Sequence, residues 1–180
     1  TAEDASVALI TPALVGSYDT LQPALSIDVV GKLAYVTDWT LRLRIIDVSD
    51  PAGPLERGSW RMPDVAYGVD VVDTLAYVAN GRLGLRIIDV SNPAAPVERG
   101  KCDTPGFAKD VQVVGALAYV ADETSGLRIL DVSDPAAPFE VGYYDAPDWG
   151  RAYGVHVVGT LAYVADGTSG LRIIDVSNPA

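Results

Sequence analysis

Four polar residues recur at one position of a repeated Val-rich segment and are the first candidates for chemistry. They are Asp28, Asp70, Gln112 and His156, and each has an apolar residue on both sides. Carboxylate and imidazole side chains can move protons or bind a metal ion where they converge. However, one histidine and two equivalent carboxylates make a weak constellation, and no Ser-His-Asp or histidine-rich ligand set can be assigned. The pattern predicts polar residues that line a channel and bond to water.

Aromatic and basic residues in predicted loops form a second group of candidates. The segment before the last Val-rich stretch is longer than its counterparts and leads through Trp149 and Arg151 to Tyr153. Phe107 lies in the matching segment of the preceding copy, and Trp39 lies in a loop of the first copy. Aromatic and arginine side chains anchor many binding interfaces, and rigid scaffolds carry such residues on exposed loops. These five residues are the candidate ligand-binding set, although Trp149 is equally suited to covering the end of a sheet.

An internal repeat determines where all of these residues lie. The motif LAYV begins at Leu33, Leu75, Leu117 and Leu161, at intervals of 42, 42 and 44 residues. Asp-Val-Ser follows at the same intervals, and a proline stands two residues after each serine. Four copies in phase, with no linker or low-complexity stretch between them, predict one repeat domain over residues 1–180.

Each copy of the repeat predicts four short strands. Around the last copy these are residues 139–144, 155–158, 161–165 and 171–176. β-Branched and aromatic residues favour strands, clusters of Gly, Pro, Asn, Asp and Ser bound every run, and no segment has the apolar spacing of a helix. A period near 42 with four strands per copy is typical of the blades of an all-β propeller.

The third predicted strand carries a family resemblance. The segment LRIID at residues 171–175 resembles the core of the LVIVD repeat, a bacterial and archaeal β-propeller family, and close variants stand at residues 43–47, 85–89 and 127–131. The resemblance extends over residues 12–180. It implies a propeller fold and a secreted or cell-surface location, and it leaves the activity open.

The two ends of the chain are complementary parts of one blade. Residues 12–18 align with residues 54–60 and predict a fourth strand without its first three, whereas the chain stops soon after the third strand at residues 171–176. An unpaired strand edge is a template for another strand. The N-terminal strand can therefore close the last blade of its own chain, giving four four-stranded blades, or that of a second copy, giving an eight-bladed ring with twofold symmetry. Small strand residues and an aromatic content of 8% favour the dimer, because eight blades leave narrow wedges.

Composition restricts the partners. There are 24 acidic and 13 basic residues, and the net charge of −11 argues against nucleic acid and anionic membrane surfaces. The single cysteine, Cys102, excludes an intrachain disulfide and a cysteine-based metal site. It aligns with the aromatic residues Tyr18, Trp60 and Tyr144, which predicts an apolar filler. No run of apolar residues is long enough to span a membrane, residues 1–10 lack the features of a signal peptide, and we expect neither a metal nor a cofactor.

Charges that recur in every copy are predicted to be structural. One arginine occupies the otherwise apolar third strand of each copy and should pair with a carboxylate or with backbone carbonyls. The four arginines are Arg44, Arg86, Arg128 and Arg172, and the nearest predicted partners are Asp38, Asn80, Asp122 and Asp166. The Asp-x-Ser-(Asn/Asp)-Pro endings predict turns capped by side chains. Arg42 replaces a glycine that the other three copies keep, which predicts a differently shaped loop in the first copy.

The sequence as a whole predicts a non-catalytic binding or scaffolding module, extracellular or on the cell surface. It would take a protein or a small ligand on its loop face and form a homodimer through exchange of the N-terminal strand. The alternative is a hydrolase-type propeller enzyme with its site at the mouth of the channel. An enzyme requires acidic or histidine side chains that converge at the axis, whereas a binding module requires a loop face flanked by aromatic residues.

Overall fold

The structure is a computed structural model that describes residues 11–145 and 150–178. These residues form four antiparallel sheets and a 3₁₀ turn at Gly167–Ser169. Sheet 1 contains β1 (Ala24–Val30), β2 (Leu33–Asp38), β3 (Arg42–Asp47) and β4 (Leu55–Arg61). Sheet 2 contains β5 (Gly68–Val72), β6 (Leu75–Ala79), β7 (Leu85–Asp89) and β8 (Val97–Cys102). Sheet 3 contains β9 (Asp110–Val114), β10 (Leu117–Ala121), β11 (Leu127–Asp131) and β12 (Phe139–Tyr144), and sheet 4 contains β13 (Gly154–Val158), β14 (Leu161–Ala165) and β15 (Leu171–Asp175).

The strands of every sheet pair in chain order, and a tight turn sets the register of the first two. Each turn begins with a residue of positive φ, between +55° and +62°: Gly31, Asp73, Gly115 and Gly159. This conformation matches the right-handed twist of a two-residue hairpin, and glycine or aspartate adopts it at low cost. The turn therefore places the alternating apolar residues of both strands on the same face in all four copies.

Close packing at the rim requires glycine in the fourth strand. A Cβ atom on Gly58 of β4 would lie 2.2 Å from the carbonyl oxygen of Pro93 in sheet 2. A Cβ atom on Gly100 of β8 would lie 2.1 Å from the carbonyl oxygen of Pro135 in sheet 3. No side chain fits at these distances, so the glycines allow each fourth strand to contact the following sheet directly.

The hydrophobic core consists of three layers, each between two successive sheets. The leading face of a sheet, formed in sheet 1 by Tyr35, Leu43 and Ile45, packs on the trailing face of the next sheet, formed in sheet 2 by residues that include Val69 and Val71. The same layer recurs between sheets 2 and 3 and between sheets 3 and 4. Complete burial of each large aliphatic side chain stabilises a layer by about 1.5–3 kcal/mol.

Within the described part of the chain, the two end faces of the arc pack on no further sheet. Leu171 and Ile173 on the leading face of sheet 4 are 63% and 58% exposed, whereas the equivalent Leu43 and Ile45 are 0% exposed. On the trailing face of sheet 1, Ile27 is 63% exposed. The innermost strands pack as β1 on β5, β5 on β9 and β9 on β13, but no comparable contact joins β13 to β1. The four sheets therefore form an open arc.

Residues 11–18 form no strand in this arc. They lie on the trailing face of sheet 1, where Tyr18 packs against Ala34, Val36 and Ile46. The four-stranded blade is therefore found in sheets 1, 2 and 3, while sheet 4 has three strands among the described residues. Closure of the last blade by the N-terminal strand, within the chain or in a second copy, is not observed among the described residues and stays a prediction.

Candidate ligand-binding face

The candidate binding residues belong to loops on one side of the arc, which we call the loop face. It is formed by the loops between second and third strands and by the connections that lead from each fourth strand to the next sheet. Gly81 pairs with Ala108 and Glu123 pairs with Ala152, through backbone hydrogen bonds of 2.9 to 3.2 Å. Each pair joins a loop between second and third strands to a connection between sheets. The two kinds of loop therefore share a face, as the repeat pattern predicts.

Three rings and two basic side chains meet on this face in what we call the aromatic–cation cluster: Trp39, Tyr67, Phe107, Arg82 and Lys109. The ring centroids of Trp39 and Tyr67 are 6.1 Å apart and those of Tyr67 and Phe107 are 6.2 Å apart, both edge to face. The Lys109 Nζ lies 3.8 Å from the Tyr67 centroid and 4.6 Å from the Phe107 centroid. The Arg82 guanidinium carbon lies 5.3 Å from the Phe107 centroid. Edge-to-face rings and cations above rings attract each other, so the five side chains hold one another in place.

The cluster places positive charge on an acidic protein. The net charge of the chain is −11, yet neither Arg82 nor Lys109 lies within salt-bridge distance of a carboxylate in the described part of the chain. The backbone N–H of Arg82 donates to the Asp64 carboxylate at 3.0 Å, which fixes the loop that carries the cation. Trp39 and Arg82 are exposed, and Tyr67, Phe107 and Lys109 are half-buried. This arrangement can bind an anionic group that is attached to a planar apolar body.

The remaining predicted residues of the ligand-binding set lie elsewhere on the loop face. Arg151 pairs with Glu123 at 3.0 Å, and Tyr153 is exposed. The side chains of Arg151 and Tyr153 line a cleft of about 460 Å³ together with Gly167 and Thr168. Trp149 lies outside the described residues. The structure therefore joins Trp39 and Phe107 in one cluster and places Arg151 and Tyr153 at a second site.

Sequence reasoning missed Tyr67, Lys109 and Arg82. A signal for the first two was present, because Tyr67, Lys109 and Tyr153 occupy the same position of the repeat, one residue after an alanine. That position varies between copies and points to the loop face. Arg82 carried a signal of the same kind, because the other three copies have threonine at its position: Thr40, Thr124 and Thr168.

The polar residues of the innermost strands connect successive sheets. The Val71 N–H donates to Asp28 at 2.8 Å, the Val113 N–H donates to Asp70 at 2.6 Å, and the Val157 N–H donates to the Gln112 side-chain oxygen at 2.6 Å. Each acceptor thus binds the backbone of the following sheet, where water was the expected partner. His156, the fourth member of this row, is exposed on sheet 4.

A further carboxylate, Asp110, makes the same kind of contact and was not singled out from the sequence. The Val155 N–H donates to it at 3.0 Å and its own neighbour Val111 donates at 3.0 Å. Burial raises the pKa of Asp70 and of Asp110, partly offset by the N–H groups that they accept. These carboxylates are therefore occupied by structural hydrogen bonds. Among the described residues, no three His, Cys, Asp or Glu side chains are grouped so that they could hold a metal ion.

The repeated arginines are paired, as predicted, although the partners differ between sheets. Arg44 lies 2.5 Å from Asp38 and Arg172 lies 3.1 Å from Asp166, which are the predicted partners. In sheets 2 and 3 the arginine pairs with carboxylates of the rim instead: Arg86 with Glu98 and Asp103, and Arg128 with Glu140 and Asp145. The change has a local cause, because position 80 is an asparagine and Asp122 already accepts from Thr104 and Gly106.

Three smaller structural features also follow the repeat. In every copy the aspartate of Asp-x-Ser accepts the serine N–H at 2.8 to 3.0 Å. Hydrogen bonds from the serine hydroxyl and N–H groups lower the pKa of each aspartate. In the first copy the positive φ falls on Leu41, so that Arg42 starts β3 and its loop has a different shape. Cys102 packs beside the second core layer, and burial raises the pKa of its thiol, in accord with a filler.

Four antiparallel sheets that pack face to face in sequence, one per repeat, define a β-propeller protein. The LVIVD repeat matches this chain four times, at residues 23–61, 65–104, 105–146 and 149–180. The chain belongs to the LVIVD-repeat family.

Solved structures agree with this fold. The chain is similar to the computationally designed Ika4 protein, with a TM-score of 0.70 and 6% identity over 93% of this chain and 100% of that one. It is also similar to the computationally designed Ika8 protein, with a TM-score of 0.67 and 4% identity over 87% of this chain and 47% of that one. This chain therefore spans about half of the Ika8 chain. No curated protein matches it, and no helix among the described residues is long and apolar enough to cross a membrane.

Proposed function

We propose that this protein is a non-catalytic binding module that takes its ligand at the aromatic–cation cluster. The observation that carries the proposal is the pair of basic side chains, Arg82 and Lys109, held against aromatic rings. Neither forms a salt bridge with a carboxylate of the described residues. Aromatic and arginine side chains supply much of the energy of binding interfaces. The ligand class that fits is an anionic group on a planar apolar body, presented by a small molecule or by an exposed protein segment.

The inner-strand residues support a role without catalysis. A general acid or base must be available to the substrate, but Asp28, Asp70 and Gln112 accept backbone N–H groups of the next sheet. The hydrolase-type alternative, with its site at the channel mouth, has no comparable observation in its favour.

A matched pair of probes tests the ligand class. The sulfonate dye 1-anilinonaphthalene-8-sulfonate should bind the wild-type protein more tightly than its uncharged parent N-phenyl-1-naphthylamine. The double variant Arg82→Gln/Lys109→Gln should reduce sulfonate binding by about tenfold, since each lost charged contact weakens it. Binding of the uncharged parent should stay the same. The control variant Arg99→Gln/Lys101→Gln removes two cations from β8, outside the cluster. Equal loss in the two double variants would contradict the proposal.

We also propose that the working form is an eight-bladed ring of two chains. The support is the open arc, because Ile27, Leu171 and Ile173 are exposed on end faces that are copies of faces buried elsewhere in the chain. The mass in solution, measured by light scattering at micromolar concentration, should equal two chains. A mass of one chain at every concentration would contradict the ring.

The proposed location is outside the cell or at its surface, and it rests on the family resemblance. Fractionation of the source cells, with detection by an antibody against this domain, should place the protein in the medium or the envelope fraction. Recovery in the cytosol alone would contradict this location.

A further inference from the structure

Residues 12–18 lie on sheet 1 as the fourth strand of one sheet lies on the next. A Cβ atom on Gly16 would lie 1.9 Å from the carbonyl oxygen of Pro51. The equivalent contact inside the arc is that of Gly58, whose added Cβ would lie 2.2 Å from the carbonyl oxygen of Pro93. The N-terminal segment thus occupies the rim position of a sheet that would precede sheet 1.

The side chain of Tyr18 confirms this placement. Tyr18 packs on the cluster of sheet 1 that contains Ile46, and Trp60, its repeat equivalent, packs in the layer that contains Ile88 of sheet 2. The Tyr18 hydroxyl also donates to Glu56 at 2.5 Å. The segment is held by side-chain contacts, while residues 11–18 take part in no strand pairing. Its backbone edge is therefore open to a further strand.

Sheet 4 has the complementary deficiency. It lacks a fourth strand among the described residues, so the outer edge of β15 is unpaired. A cleft of about 480 Å³ lies at this rim, between Tyr144 of sheet 3 and residues 174–176 of sheet 4. The leading face of sheet 4 is exposed at Leu171 and Ile173. Sheet 1 thus offers an N-terminal rim segment and a trailing face. Sheet 4 lacks a fourth strand and a sheet that covers its leading face.

We infer that the N-terminal segment is the fourth strand of sheet 4 in a second copy of this chain. The inference rests on the proposed two-chain ring and specifies how it is joined. The trailing face of sheet 1 covers Leu171 and Ile173 of the second copy, and residues 12–18 pair with its β15. The junction is head to tail and occurs twice, once for each N-terminus. The chain's own sheet 4 is the less favoured occupant, because β13 and β1 do not pack on each other as the other successive innermost strands do.

The repeat gives the register of this pairing. In sheet 1, Asp47 stands opposite Leu55, and the same partners recur as Asp89 and Val97 in sheet 2. Transferred to the junction by the alignment of the copies, the rule places Asp175 of one chain opposite Ala13 of the other. Directly opposite residues of antiparallel strands have Cβ atoms about 4.5–5.5 Å apart, close enough for two cysteines to be linked.

A disulfide trap tests the register and the partner together. The variant Ala13→Cys/Asp175→Cys, with Cys102→Ser, should give a covalent dimer on mild oxidation, visible as twice the chain mass without reductant. Both substituted positions are exposed, so the fold is preserved. The positive control Asp89→Cys/Val97→Cys should link within one chain. The offset control Leu14→Cys/Asp175→Cys should link poorly, because adjacent residues of a strand point to opposite faces.

The outcomes separate the mode of joining from the ring itself. A two-chain mass with efficient trapping only at the predicted pair supports the inference. A two-chain mass without trapping, or with equal trapping in the offset control, overturns the inference and leaves the ring standing. A one-chain mass contradicts the proposed ring, and a trap that closes within single chains then shows that the segment closes its own sheet 4, which also overturns the inference.

Discussion

The leading faces of sheets 1 and 4 have nearly the same sequence and opposite environments. Leu43 and Ile45 of sheet 1 are completely buried by sheet 2, whereas Leu171 and Ile173 of sheet 4 are exposed. The local sequence is LRIID in both strands, so the difference comes from the neighbour and not from the strand. A repeat protein built this way carries the same adhesive face on every unit, and its ends differ from its middle only because nothing covers them.

The largest expected effect comes from truncating equivalent isoleucines in the middle and at the end. Ile87→Ala should lower the free energy of unfolding by about 2–5 kcal/mol, because it leaves a cavity in a closed layer. Ile173→Ala should cost less than about 1 kcal/mol in dilute solution, where its face is solvated. Urea unfolding at several protein concentrations measures both. The destabilisation by Ile173→Ala should grow with protein concentration as the second copy covers the face. A destabilisation that stays constant would show that no second copy covers this end face.

The next largest effect concerns the two end faces as a pair. Ile27→Asp and Ile173→Asp should each weaken self-association by about 100-fold, because a charge is placed in an apolar junction. An equimolar mixture of the two variants should form a mixed dimer, since one of its two junctions is unaltered. Sedimentation of each variant alone and of the mixture gives the measurement. If mixing restores no dimer, the faces are not complementary to each other.

A smaller effect is expected for the acceptors that link successive sheets. Asp70→Ala should lower the free energy of unfolding by about 1–3 kcal/mol, because the Val113 N–H loses its acceptor. Asp70→Asn keeps an oxygen there, as Gln112 does for Val157, and should fold nearly as stably as the wild type at pH 7.

The pH dependence of the same position sharpens this prediction. Since burial raises the pKa of Asp70 in the folded protein, the folded state binds the proton more tightly. The wild type therefore loses stability from this group as pH rises from its unfolded pKa of about 3.9 through the folded value. Asp70→Asn lacks this loss and should gain on the wild type between pH 3.5 and 7. Urea unfolding across roughly that range measures the difference, and a difference that does not change with pH would contradict the assignment.

The smallest effect is expected at His156. It occupies in sheet 4 the position that Gln112 occupies in sheet 3. Its acceptor would therefore share the Val29 N–H of the second copy with Asp28, to which that N–H donates at 2.7 Å in the single chain. His156→Ala should weaken self-association by about two- to tenfold, the value of one hydrogen bond, and His156→Gln should restore it. The unfolding of the dilute single chain should not change. Equal dissociation constants for all three proteins would leave His156 without a part in the junction.

The features that could be predicted from the sequence are those that recur in all four copies of the repeat. The strand Leu161–Ala165 has the predicted bounds, because a turn residue of positive φ and a polar loop delimit it in every copy. The loop face was predicted for the same reason, since strand order alone decides which loops share a side. The pairing of each inner-strand acceptor with the next sheet was not predicted. It depends on the spacing between sheets, which no residue pattern encodes.

The membership of the binding cluster was the other point that the sequence left undecided. Tyr67 and Lys109 hold the same position in successive copies of the repeat. They are adjacent in space because the packing of sheet 3 on sheet 2 brings the two copies of this position together. Arg86 shows the same limit, since its carboxylate partners come from β8 and from Asp103 beyond it. Contacts within a sheet follow from the register, whereas contacts between sheets also require the stagger of one sheet on the next.

In the proposed two-chain ring, the angle between successive sheets would set the size of the assembly. In a head-to-tail assembly every added chain presents a new contact surface. Addition stops only when the rotation between successive chains closes a ring. A substitution that changed the angle between successive sheets by a few degrees would prevent the edge of the last sheet from meeting the N-terminal segment that closes the ring. Chains would then add without limit along a spiral, and the same adhesive strand edges would produce a fibre. In the proposed ring, the packing between the sheets would thus keep the particle finite as well as stable.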